Sequence, residues 1–249
     1  MREGAGQRWA SLEGGATLEA LVVLTLLLLI LTVGSRTFTA HTEAARRTLD
    51  GAMALEATRL SRWVLGTELR AGLEGRDWRI AGDGALYARI FRGVAVPCGT
   101  PGPGGEIQVR RRGLRNPDPA KDSILVLGPD GGWRAHALLD REPGGDGSGV
   151  DCPAPENWRW ERWRISGDGG PWLLARYFES GSYHLADGAL RYLRGGAGRQ
   201  PLVPEVFGSA SALEPVPGGI RVEIEVVGGV VGTGADPQVQ RWTVRSPGG

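Results

Sequence analysis

The distribution of apolar and polar residues divides the chain into three parts, of which the first is the most uniform. Residues 20–35 form an uncharged run, ALVVLTLLLLILTVGS. As a helix this run is about 24 Å long, and starting it at Gly15 gives about 31 Å, enough to cross the hydrocarbon core of a bilayer. The pattern therefore predicts a membrane-spanning helix over residues 15–35, and this helix has to include Glu19.

The second part, residues 36–75, is predicted to be an amphipathic helix that continues the first. Up to Gly72 it contains no proline, and apolar side chains recur along it at helical spacings on one face, which Glu56 interrupts. Gly72 and Gly75 are expected to end the helix, while a kink at Gly34 and Ser35 stays open. The apolar positions are Phe38, Ala45, Leu49, Ala52, Met53, Leu60, Trp63 and Val64.

The third part, residues 76–249, is predicted to be a β-rich globular domain, because short apolar stretches alternate there with Asp-Gly and Gly-Gly turns. Residues 220–226 alternate strictly between apolar and charged positions, as in a strand with one buried face. The expected fold class is α+β, with an antiparallel sheet packed on the second half of the helix. Strands are predicted over 86–91, 106–111, 123–127, 158–165, 172–178, 190–193, 220–227 and 240–244.

Composition and motifs argue against several function classes. The formal net charge is +1, so bulk charge does not favour binding to nucleic acid or to anionic lipid. The chain has no Gly-x-Ser-x-Gly elbow and no phosphate loop, so neither an enzyme nor a cofactor is predicted. The three histidines, His41, His136 and His184, are scattered and no metal site is expected.

Glu19 distinguishes three interpretations of the apolar helix. A secretory signal peptide lacks a clear cleavage site here, and a plain membrane anchor leaves the carboxylate unexplained. The segment from Glu13 to Leu24, EGGATLEALVVL, resembles the N-terminus of type IV prepilins and type II secretion pseudopilins. The resemblance implies cleavage by a prepilin peptidase between Gly14 and Gly15, which removes residues 1–14 as a leader.

The resemblance also implies roles for the new terminus and for Glu19. Gly15 becomes the N-methylated first residue and Glu19 the fifth, where the family's glutamate pairs with the terminal amine of a neighbouring subunit. The family usually has phenylalanine first and a basic residue before the cleavage glycine, whereas this chain has Gly15 and Glu13. The order of a hairpin over 176–194, a Pro-Leu-Val-Pro segment and the alternating strand is similar to minor subunits of the PilW and GspJ types.

The implied function is that of a minor pilin or pseudopilin, a structural subunit that helps initiate or cap a type IV pilus or a type II secretion pseudopilus. The implied partners are the prepilin peptidase, other minor and major pilins or pseudopilins, the inner-membrane assembly platform and membrane lipid. The protein is expected to be single-pass in the inner membrane, with its globular domain in the periplasm or at the cell surface. Whether it serves a pilus, a secretion system or a competence apparatus stays open.

Two further features carry candidate chemistry. Cys98 and Cys152 lie in loop-like contexts and are expected to form a disulfide in an oxidising compartment, with two free thiols as the alternative. The stretch Trp158-Arg159-Trp160 could stack DNA bases or sugars, or its tryptophans could pack while the arginine is solvated. A ligand role would suit the alternative function, a membrane-anchored binding module that never assembles.

Overall fold

The structure is a computed structural model and describes residues 10–144, 152–167, 170–195, 198–226 and 238–247. One helix, α1 (Ala10–Arg70), precedes all the strands. The chain divides into two compact units, and the helix up to Ala52 belongs to the first unit while its last turns, from Met53, belong to the second. A long N-terminal helix and a large antiparallel sheet confirm the α+β class.

In the first unit, the part that the structure describes is a helix without a covering layer. Its most apolar window has a mean hydropathy of 2.5 and none of that window is buried. The hydroxyls within it are satisfied locally, as Thr25 donates to the Leu21 carbonyl at 3.0 Å and Thr32 to the Leu28 carbonyl at 2.7 Å. The helix continues through Gly34 and Ser35, so the chain has a helix long and apolar enough to cross a membrane.

The second unit contains the end of α1 and the strands. It also contains a short 3-10 helix, Pro103–Gly105. The shortest of its strands, Gln200–Pro201, consists of two residues that pair with Arg191 and Tyr192. The strands are β1 (Trp78–Ile80), β2 (Leu86–Pro97), β3 (Glu106–Gly113), β4 (Asp122–Leu127), β5 (Trp133–Pro143), β6 (Arg159–Ile165), β7 (Leu174–Ala186), β8 (Ala189–Arg194), β9 (Gln200–Pro201), β10 (Ala212–Val216), β11 (Gly219–Val226) and β12 (Gln238–Arg245).

Six of these strands close into an antiparallel barrel. The pairing order β2-β3-β6-β5-β4-β7 returns to its start because β2 also pairs with β7. Ala95 of β2 lies opposite Arg111 of β3 on one side and opposite Ala175 of β7 on the other. The barrel interior is filled by side chains from all six strands: Ala95, Ile107, Val109, Ile124, Val126, Leu138, Trp163, Ile165, Ala175 and Tyr177.

A second apolar core joins the last turns of α1 to the strands outside the barrel and to residues of β2 and β7. β10, β11 and β12 form a separate three-stranded sheet, while β1, β8 and β9 extend the large one. Leu65 and Leu69 of the helix are fully buried in this core, and the sheet therefore packs on the second half of the helix as predicted. The strand residues in the core are Trp78, Leu86, Ile90, Tyr183, Ala189, Leu190, Leu213, Ile220, Val222, Ile224 and Val244.

The predicted apolar face of the helix is mostly wrong, although Val64 on it is partly buried and packs on the second core. The face that packs carries small residues and two leucines, with Ala54, Ala57, Thr58, Ser61, Leu65 and Leu69 all buried. Small side chains allow the strands to approach the helix backbone closely. Because this face contains few large apolar residues, the hydrophobic pattern of the sequence does not reveal it. Met53, Leu60 and Trp63, predicted to pack, are 44%, 37% and 67% exposed.

The strand predictions are mostly right in position and incomplete in number. The Asp187-Gly188 turn has positive φ at both residues, 49° and 72°, as a tight hairpin between β7 and β8 requires. The predicted strands do not include β1, β5, β9 and β10. The longest of these, β5, carries polar residues on both faces and lacks alternation. The strand expected over 172–178 begins at Leu174 and runs on to Ala186, while Trp172 is buried before it.

Asp77 ties the end of the helix to the sheet. Its fully buried carboxylate accepts hydrogen bonds from the Leu73 N–H at 3.0 Å and from Arg76 at 3.0 and 3.2 Å, and it pairs with Arg89 of β2 at 3.3 Å. Burial acts to raise the pKa of Asp77, but the Arg76 and Leu73 hydrogen bonds and the charges of Arg76 and Arg89 leave it lowered.

We predict that Asp77→Asn lowers the free energy of unfolding at pH 7 by about 1–3 kcal/mol, because charged donors lose their acceptor. Since the folded-state pKa is lowered, this contribution is fully present above the unfolded value, about 3.9, and is lost as the pH falls through the folded-state pKa. Urea unfolding between pH 7 and pH 2 should therefore show a smaller acid-induced loss in the variant. Asp83→Asn, in the exposed β1–β2 turn, is the control, and equal acid-induced losses in wild type and Asp77→Asn would contradict the role of Asp77.

Candidate functional site

The residues of the predicted cleavage and assembly site lie on the uncovered N-terminal part of α1. Gly14 is helical, and no atom lies within 4 Å of a Cβ built on Gly15. Glu19 is exposed and takes part in no ion pair among the residues that the structure describes. Pairing of Glu19 with an amine of a neighbouring subunit, and cleavage after Gly14, stay predictions.

The last turns of α1 carry an apolar stripe opposite the face that packs on the sheet. This helix stripe consists of Met53, Leu60 and Trp63, which are spaced seven and three residues apart and are all exposed. In the first unit, Phe38 and Leu49 are 71% and 63% exposed. Large apolar side chains at helical spacing are suited to packing against another helix, because they supply the ridges that fit its grooves.

Cys98 and Cys152 form a disulfide, the bridge that the sequence predicted. Their Cα atoms are 4.4 Å apart and 54 residues separate them. The Cys98 N–H donates to the Gln108 carbonyl of β3 at 2.8 Å, so one end of the bridge is fixed to the barrel. The other end holds the segment that leads into β6, in which the Ala154 carbonyl accepts from Arg110 at 3.3 Å.

The Trp-Arg stretch divides between the two faces of β6. Trp160 lies on the outer face, where the Arg110 guanidinium stacks on its ring at 4.6 Å. Trp163 is completely buried in the barrel, and Trp158 lies just before the strand and is half-buried. One face of Trp160 is thus already covered by the protein's own cation, which leaves less of the ring for a base or a sugar.

Arg159 lies on the opposite face of β6 from Trp160, the face that points into the barrel. It is the first residue of the strand and lies at the end of the barrel. It is the register partner of Arg111 on β3. We call this end of the barrel, where β3 ends and β6 begins, the barrel mouth; it includes Arg111, Arg112 and Arg159. Arg159 is exposed there, whereas Arg111 is buried.

A buried charge cluster closes the barrel beneath the mouth. Glu161 accepts hydrogen bonds from Arg111 at 2.6 Å, from Arg141 at 2.8 Å and from the Trp163 indole N–H at 2.8 Å. Tyr177 donates to the Arg115 carbonyl at 2.6 Å, and burial raises the pKa of its hydroxyl. Two arginines therefore share one carboxylate, and the cluster keeps an excess of positive charge.

A second charge cluster fixes the loop after β3. Arg115 bonds both carboxylate oxygens of Asp122, at 2.5 and 2.6 Å, and bonds Glu179 at 3.0 Å. The Asp122 hydrogen bond is the main cause that raises the pKa of Arg115. Sequence analysis did not single out these residues, although four arginines within residues 110–115 were a visible sign of concentrated charge.

No protein-family model, no curated protein and no solved structure matches this chain.

We predict that replacing both cysteines, Cys98→Ser with Cys152→Ser, lowers the free energy of unfolding by about 4 kcal/mol, because a closed loop of this length restricts the unfolded chain. The measurement is urea unfolding of the variant beside untreated wild type. Wild type treated with dithiothreitol is the control and should match the double variant. Equal stability of reduced and oxidised wild type would show that the bridge does not constrain the fold.

Proposed function

We propose that the protein is a minor pilin or minor pseudopilin, made as a prepilin and cut between Gly14 and Gly15. The observation that carries the proposal is the position of Glu19, at the edge of a helix whose most apolar window is entirely uncovered and five residues after Gly14. A carboxylate costs about 2.5–3.5 kcal/mol at the centre of a membrane-spanning helix and less at its edge, and pairing with a cation offsets this cost. Cleavage would create a positively charged amine at Gly15 that supplies the pair in an adjacent subunit.

The helix stripe supports assembly over simple anchoring. A helix that served only to anchor the second unit would need one apolar face for the sheet, and α1 buries such a face through Ala57, Leu65 and Leu69. Trp63 and Leu60 on the opposite side have no partner among the described residues. In a filament, helices of neighbouring subunits would cover this stripe, and the protein would wait as a single-pass protein of the inner membrane until then.

The first test measures the mass of the membrane-extracted protein and its assembly. We expect the mass of a chain that starts at Gly15, with the N-terminal methyl group that the proposal implies. Glu19→Ala should insert into the membrane normally and should fail to enter filaments, because the neighbouring amine loses its counter-charge. Glu43→Ala, which removes a carboxylate from an exposed turn of the same helix, is the control and should assemble.

A chain that still begins at Met1 would contradict the proposal and would favour the alternative, an anchored binding module. Filament entry of Glu19→Ala at the wild-type level would contradict the role of the glutamate by itself.

The helix stripe gives a second, independent prediction. Trp63→Ser should change the free energy of unfolding by less than about 0.5 kcal/mol, because the side chain is 67% exposed, yet it should reduce cross-linking to neighbouring stem helices. Leu65→Ala, two residues away on the buried face, should instead cost about 2–5 kcal/mol. Unchanged cross-linking of Trp63→Ser would remove the stripe from the assembly surface.

A further inference from the structure

We propose that the barrel mouth binds a phosphate group. A cleft of about 380 Å³ opens there, and four arginines and two asparagines contribute to its lining. These residues are Arg111, Arg112, Arg115, Arg159, Asn116 and Asn157. No described residue that lines the cleft carries a carboxylate. This inference does not depend on the proposed assembly, because all these residues lie in the second unit.

The four arginines are not equivalent. Arg111 and Arg115 have carboxylate partners, Glu161 for the first and Asp122 with Glu179 for the second. Arg112 and Arg159 are exposed, and in the described parts of the chain neither forms an ion pair. Among the described residues, the cleft therefore holds two arginines that are fixed by carboxylates and two, Arg112 and Arg159, that have no carboxylate partner.

The backbone register brings like charges together at this point. Arg111 and Arg159 are directly opposite each other in the β3–β6 pair, an arrangement that is unfavourable for two cations. Asn116 lies between them, and its side-chain oxygen accepts hydrogen bonds from both, from Arg159 at 3.4 Å. A neutral amide oxygen thus occupies the position between two cations, where an anionic oxygen would be bound more strongly.

Phosphate fits this arrangement by charge. Near neutral pH a phosphate or phosphate monoester carries about −1.5 to −2 charges, which match the two guanidinium groups without a carboxylate partner among the described residues. Guanidinium forks bind phosphate oxygens in bidentate fashion, and Asn157 at the rim can donate to a further oxygen. The disulfide holds the segment that carries Asn157, so this wall of the cleft is fixed in place.

The phosphate can come from a free ion or from an ester, and the two sources share the same chemistry. The test uses the full chain in a non-ionic detergent near pH 7.5, with inorganic phosphate and glucose 6-phosphate titrated separately by calorimetry. We expect saturable 1:1 binding of inorganic phosphate, with weakening of about tenfold or more in Arg112→Ala combined with Arg159→Ala. Tighter binding of glucose 6-phosphate than of inorganic phosphate would identify an ester as the ligand and support the proposal.

Arg162→Ala combined with Arg164→Ala is the matched control. These arginines lie on the same strand, are 54% and 51% exposed, and are paired with Glu142 and Asp140. The control removes the same formal charge and should retain the wild-type affinity for phosphate. Both variants should keep the wild-type unfolding midpoint, because all four side chains are exposed.

Three results would overturn the proposal. The first is the absence of saturable binding of either phosphate compound by wild type. The second is an equal loss of affinity in the two double variants, which would show that only bulk charge matters. The third is tight binding of an oligothymidylate without terminal phosphates that phosphate does not displace, which would assign the cleft to the nucleic-acid backbone instead.

Discussion

Sixteen consecutive uncharged residues in a helix have to be covered by something other than water. In this chain the described residues leave that window entirely exposed, so its cover has to come from lipid or from other molecules. The threonine hydroxyls in the run also need no water, because Thr25 and Thr32 donate to carbonyls of the preceding turn. Glu19, at the edge of the run, is the charged residue nearest to it on the N-terminal side.

In the second unit, strand edges and one face of the helix are covered by the protein itself. Its barrel is closed, so none of the six strands in the ring has a free edge to pair with another chain. The last turns of α1 add an apolar face made largely of alanine, serine and threonine, which allows close approach to the strands. The bulky residues Leu60 and Trp63 remain on the other side. Small residues together with Leu65 and Leu69 make the internal contact, so Leu60 and Trp63 are available for an external one.

The sequence predicted what depends on local patterns and missed what depends on strand pairing. The uncharged run, the Asp187-Gly188 turn and the alternating strand over 220–226 are local, and each appears in the structure. Closure of the barrel depends on β2 pairing not only with β3, the next strand, but also with β7, which is far from both in the sequence. The packing face of the helix was assigned to Met53, Leu60 and Trp63 because hydrophobicity was taken as a measure of burial. That assumption is wrong for this helix, because small side chains line its buried face and bulky ones its exposed face.

The candidate sites show the same division. Pairing of Cys98 with Cys152 followed from the count of cysteines, whereas the barrel mouth could not be found without the register of β3 and β6. That register also explains how a chain of net charge +1 can concentrate positive charge.

Along β6, Arg162 and Arg164 face outward and meet carboxylates on β5, while Arg159 faces inward at the end of the row and meets only Asn116. The three arginines lie within a stretch of six residues and are chemically identical. Their different surroundings follow from strand parity and from where the strand begins, so a count of charges cannot separate a structural arginine from one that is available to a ligand.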